Sequence, residues 1–118
     1  MISAIIAALH ITAFTIFDWE PQEVRCTCYL PTGHRTADGT VPYEGIIASN
    51  REHLGDMALL YTKDYEYIGM FECRDVGGHY KLRNGTAIDV FRDDMENALD
   101  WVHTYGDYVY VIWISAEG

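Results

Sequence analysis

Two aspartates stand where this chain can carry acid–base chemistry. Asp89 lies in the run Thr86-Ala87-Ile88-Asp89-Val90-Phe91, with apolar neighbours on both sides. A carboxyl in such company loses hydration, so its charged form is disfavoured and it keeps its proton to higher pH. A group of that kind can protonate a poor leaving-group oxygen and later take a proton back, a contribution worth roughly 10²–10⁴-fold. Asp75 comes just before Gly77-Gly78, and placed near Asp89 it would raise that carboxyl further through like charge. Each has a plainer role open to it. Asp89 can be a strand-end residue capping the next turn, and Asp75 can accept backbone N–H bonds at the head of a Gly-Gly turn.

Nucleophilic and metal chemistry are poorly supplied. No histidine follows Ser49 or Cys28 in a triad pattern. The five histidines show no ligand spacing with Cys26, Cys28 and Cys73, so no metal and no cofactor is implied. If the protein is exported, Cys73 is expected to pair with Cys26 or Cys28; three core thiols are the alternative.

The elements that must hold these residues are short. With 118 residues there is room for one domain, and 49% hydrophobic content suffices for a core. Eighteen acidic against eight basic residues give a net charge of −10, which argues against nucleic acid as a partner. Residues 1–17 carry no charge at all and are mainly apolar. That stretch is shorter than a spanning helix needs and lacks the basic start of a signal peptide, yet a leader or anchor remains the first expectation. A half-buried strand is the second, from the alternation over 11–17, and a misplaced start codon the third. The division is therefore an apolar segment over 1–22, with membrane association open to it, and a folded domain over 23–118.

Strand patterns cover 24–29, 45–49, 57–61, 65–73, 86–91 and 107–115, with turn chemistry at Pro31-Thr32-Gly33, Ala37-Asp38-Gly39 and Lys63-Asp64. The period then changes once. Asp93 or Asp94 can cap a helix whose apolar stripe is Met95, Ala98, Leu99 and Val102, and Gly106 stops it. Six strands and one late helix predict a mainly β fold, a closed and mainly antiparallel barrel.

Ordered motifs along the chain resemble those of the three-aspartate (3D) domain family. Cys26-Thr27-Cys28-Tyr29 and His34-Arg35-Thr36-Ala37-Asp38-Gly39 resemble its opening strand and the Gly-x-Thr-Ala-Ser-Gly turn. Gly45-Ile46-Ile47-Ala48-Ser49-Asn50 and Leu54-Gly55-Asp56-Met57 resemble the next two pieces with substitutions. Asp75-Val76-Gly77-Gly78 followed by Asn84-Gly85-Thr86-Ala87-Ile88-Asp89 resembles the most diagnostic piece, and Tyr105-Gly106 and the last strand complete the order. The resemblance spans roughly residues 24–117.

It implies a six-stranded double-psi β-barrel with one helix near the C-terminus, the fold of membrane-bound lytic transglycosylase A, expansins and family 45 endoglucanases. It further implies a secreted or cell-envelope protein that binds peptidoglycan or a related β-1,4-linked glycan in an open groove. Asp89 would be the general acid, with Asp75 in the same groove. The first of the three aspartates is Asn50 here, expected to face that groove. Gly77 and Gly78 are expected to permit φ > 0 and close approach of a sugar, and Tyr29 and Thr36 to contact it. A hydrolase wants two carboxyl groups, whereas a lytic transglycosylase can manage with one, because the muramyl 6-hydroxyl attacks internally. Asn50 favours the single-acid route. The alternatives are a non-catalytic expansin-like glycan-binding module, a hydrolase of a β-1,4-linked glycan, and a phage or prophage scaffold.

Overall fold

Alternating apolar residues along the chain become six strands: β1 (Gln22–Tyr29), β2 (Ile46–Ser49), β3 (Met57–Tyr61), β4 (Tyr67–Val76), β5 (Ala87–Phe91) and β6 (Tyr108–Ile114). The computed structural model describes residues 20–115; the leader, anchor or strand expected over 1–17 lies outside the described residues. Every second side chain points inward. Val24 and Cys26 of β1, Ile88 and Val90 of β5, and Val109 and Val111 of β6 meet Ile47, Leu60 and Cys73 in one buried cluster.

The strands close in the order β1-β5-β2-β4-β3-β6, so none of the described strands is left with a free edge. β5 is inserted between the consecutive strands β1 and β2, and β2 between the consecutive strands β4 and β5. Each ψ-shaped loop therefore takes its central strand from the other, which is the double-psi arrangement. Exchanging β1 with β4, β2 with β5 and β3 with β6 leaves the pairing pattern unchanged. β1–β5 and β2–β4 are parallel, and the remaining four pairs are antiparallel.

Two elements differ from expectation for local reasons. The strand predicted over 65–73 starts at Tyr67 and runs to Val76. Tyr65 adopts φ 65°, which belongs to the turn, and the far end continues because β2 pairs with it through Val76. A one-turn helix, α1 (Tyr80–Arg83), was not legible, since four residues show no periodicity. His79 caps it, its ring accepting from the Lys81 N–H.

The second helix, α2 (Met95–Tyr105), begins where Asp94 accepts from the Asn97 N–H at 2.8 Å and ends at Gly106, φ 74°. Its buried face matches the predicted stripe only at Ala98. Ala98 and Trp101 are buried, while Met95, Leu99 and Val102 are 57%, 50% and 37% exposed. Trp101 has the largest apolar surface on the helix, and its ring is seated edge-on between Phe71 and Tyr105 with the Arg92 guanidinium over it. Burying that ring turns the helix away from the Leu99 stripe.

The expected pairing of Cys73 with Cys26 or Cys28 is not formed, and all three thiols are free. Cys26 and Cys73 are core side chains. Burial pushes both up to about 12, and Cys28 to about 11, which keeps them as unreactive thiols.

Candidate active site

A bulge in β4 builds the site. Ile47 of β2 pairs with Cys73 and Ala48 with Asp75, so Arg74 is the extra residue. With regular pairing Arg74 would face Ala48, and Asp75 would follow Cys73 into the core. The bulge re-aims Asp75 outward. On its other side Ala48 pairs with Asp89, and Asp89 pairs with Thr27. One row on the barrel's outer face therefore reads Thr27, Asp89, Ala48, Asp75 across four adjacent strands. The two aspartates are two strands apart, about 10 Å between backbones, with only a methyl group between them.

Their surroundings differ. Thr27 donates its hydroxyl to Asp89 Oδ1 at 2.9 Å. Burial raises the Asp89 pKa, the Thr27 hydrogen bond opposes that, and the charge of Asp75 adds to it. Asp75 accepts three donors: the Ala37 and Val76 N–H groups at 2.9 Å each and the Tyr29 hydroxyl at 3.3 Å. Tyr29 reaches it diagonally from the outer face of β1. Burial and the Asp75 carboxylate hold the Tyr29 hydroxyl well above the usual phenol range, so it stays a donor. Asp75 thereby ties the loop after β1 to the sheet and projects charge toward Asp89.

That loop is organised by its own polar residues. Thr36 is buried, donating to Asp38 Oδ1 at 2.6 Å and accepting from the Thr40 N–H at 3.0 Å. Burial pushes Asp38 up, but hydrogen bonds from Thr36, Thr40 and Arg74 outweigh it and hold the carboxyl down at about 2. Arg74, displaced by the bulge, bonds Glu72 at 2.6 Å and Asp38 at 3.3 Å. Thr36 is thus engaged within its loop.

Asn50 ends β2 and caps the 3-10 turn Arg51–His53, its side chain accepting from the His53 N–H at 3.2 Å. Its other end lies beside Gly85. It has no part in the Asp89 shift. Gly77 and Gly78 do not use the left-handed region expected of them; the glycines with positive φ are 33, 39, 45, 55, 85 and 106. The space over Gly77 is filled by the buried Leu82 side chain, while Gly78 is exposed with open space above it.

Beside Asp89 opens a cleft of about 530 Å³. Arg25, Thr27 and Asp89 form its barrel wall, and His79, Tyr80 and Lys81 of the α1 region face them. Asp89 is the only carboxyl among the described residues that line it. Sequence reasoning missed Arg25, although it alternates with Thr27 and Tyr29 on β1 and so had to share their face. It missed His79, Tyr80 and Lys81 because α1 itself was invisible. Among the described residues, no three His, Cys, Asp or Glu side chains gather to hold a metal ion.

The electrostatics make a prediction. Asp75→Asn keeps the oxygen that accepts the two backbone N–H groups but removes a like charge, so the Asp89 pKa falls. Any activity that needs Asp89 protonated then declines at lower pH than in the parent. Comparing the alkaline limbs of the two pH–rate profiles checks this, and coincident limbs would show that the charges do not interact.

Compared with known proteins, the chain matches no family model and no curated sequence.

Proposed function

We propose that the protein cleaves peptidoglycan glycan strands as a lytic transglycosylase of the three-aspartate type, with Asp89 as its single acid and base. The observation that carries this is a half-buried carboxyl of raised pKa, standing as the only carboxyl among the described residues of a cleft on a double-psi barrel. Hydrolysis by paired carboxyl groups needs a second one free to activate water or to attack. Asp75 is committed to three donors and Asn50 to a helical cap, which favours the one-carboxyl route.

Asp89 gives its proton to the bridging oxygen as the bond to the muramyl anomeric carbon breaks and positive charge spreads over the sugar ring. The carboxylate left behind takes the proton of the muramyl 6-hydroxyl as that oxygen bonds to the anomeric carbon. Atoms balance without water, and Asp89 ends protonated for the next cycle. Thr27 suits both states, since a hydroxyl can donate to the carboxylate or accept from the acid. The reading calls for the barrel to meet its substrate in the cell envelope.

Digestion of purified peptidoglycan, followed by analysis of the released ends, tests it. The expected products carry 1,6-anhydromuramyl ends. Free reducing ends would instead mean a hydrolase, and absence of release with retained binding would mean a glycan-binding module.

A further inference from the structure

The cleft is cationic in a strongly acidic chain. Arg25 and Lys81 both line it, although the chain has only eight Lys and Arg and a net charge of −10. Among the described residues the ion pairs involve His53, Arg74 and Arg92, and no carboxylate lies within ion-pair distance of Arg25 or Lys81. Nor do these two cations contribute to the Asp89 shift, which comes from burial, Thr27 and Asp75. Arg25 and Lys81 meet through Thr86, whose carbonyl accepts from the Arg25 N–H at 3.0 Å and whose N–H donates to the Lys81 carbonyl at 2.9 Å, while Asp89 lies two residues further along β5 than Ala87, the partner of Arg25. Arg25 precedes Thr27 by two positions on the same face of β1, about 7 Å along the strand. Tyr80, 57% exposed, adds an aromatic face at which a ring can stack.

We infer that the cleft takes a saccharide bearing an oxyanion, carboxylate or phosphate beside the bond that Asp89 protonates, with Arg25 and Lys81 as its binding residues. A guanidinium matches such a group through two parallel N–H bonds, and an ammonium adds a point charge. Two uncompensated cations facing one cavity raise the local concentration of an anionic ligand against the repulsion of the rest of the surface. The identity of the bound molecule as a glycan rests on the function proposed above; the anion preference itself does not depend on bond cleavage.

The test is binding to the full chain, followed by NMR titration, with two pairs of probes. N-acetylmuramic acid and N-acetylglucosamine differ by a lactyl carboxylate, and glucose 6-phosphate and glucose differ by a phosphate. The acidic member should bind about tenfold tighter, the worth of one charge-assisted hydrogen-bonded contact. A preference in the first pair alone identifies a carboxylate, in the second alone a phosphate. Arg25→Gln and Lys81→Gln should each reduce the preference, and Lys81→Gln serves if the half-buried Arg25 proves necessary for folding. Equal binding of acidic and neutral probes overturns the inference, as does a preference that survives both substitutions. If the chain prefers the acid but releases nothing from the wall, the proposed cleavage fails and the anion site stands. If it cleaves but shows no preference, only the anion site fails.

Discussion

Replacing Asp89 by Asn is expected to lower the proposed glycan cleavage by about 10²–10⁴-fold, while leaving a folded barrel that keeps the proposed glycan binding. The amide keeps an oxygen for the Thr27 hydroxyl and fits the same space, so the row across β1, β5, β2 and β4 persists. What disappears is the only proton donor of carboxyl type that lines the cleft among the described residues. The same change should not cost stability. The folded-state pKa of Asp89 is raised, so between the unfolded value of about 3.9 and the folded one the native state binds the extra proton. Stability contributed by this residue therefore falls as pH rises through that window, and the penalty stays at neutral pH. Asp89→Asn removes it. Thermal unfolding at pH 7 should give a Tm equal to or above the parent's, with the difference closing below about pH 4. Cleavage in the parent should decline as pH rises through the same pKa, because the acid must be protonated to act. Retention of more than about a tenth of the activity in Asp89→Asn would place the acid elsewhere.

Gly77→Ala is expected to destabilise the fold by about 1–3 kcal/mol, whereas Gly78→Ala should stay within about 0.5 kcal/mol of the parent. A Cβ on Gly77 would overlap Leu82 Cδ1 and lie 2.9 Å from the Cβ and Cγ of the same side chain. Rotating the end of Leu82 cannot relieve contact with its Cβ, so α1 must shift. Gly78 meets nothing within 4 Å and needs no positive φ. The effect should reach the cleft, because α1 carries Tyr80 and Lys81 along its wall. Weaker glycan binding should accompany the lower Tm, at roughly 4–8 °C per kcal/mol for a domain of this size. The double variant Gly77→Ala/Leu82→Ala should lose less than the sum of its two single variants, since the second change removes the atoms that the first one strikes. Equal melting temperatures for Gly77→Ala and Gly78→Ala would refute the packing argument.

The two expectations share an origin in the way the barrel handles one short stretch, Asp75 to Leu82. The bulge at Arg74 turns Asp75 outward, Gly77 lets the chain pass over Leu82, and α1 then folds back to wall the cleft. A displacement anywhere in it alters the distance between the acid and the cations that face it.

Much of the barrel was written locally. Val24 and Cys26 alternate with Glu23, Arg25 and Thr27, and a period of two is enough to mark a strand with one buried face whatever it pairs with. The cap at Asp94 and the stop at Gly106 were equally local. The burial that raises the Asp89 pKa was not, because Ile88 and Val90 point into the core, away from its carboxyl. Which strands become neighbours is not local. Nothing in the spacing of Asp75 and Asp89 says that both will pair with Ala48, or that a bulge will exchange Arg74 for Asp75 on the outer face. Register along β4 is decided by what β2 offers once the barrel closes. Closure also decided that Trp101 rather than Leu99 faces inward, because only the assembled barrel presents Phe71 of β4 to its ring. It decided that Leu82 fills the space above Gly77. Finally, it brought Arg25 on β1 opposite Lys81, 56 positions away in the chain, across one cleft. Residue type and alternation set what each strand can bury; the order in which six strands close sets which outward side chains meet, and the candidate site consists of outward side chains.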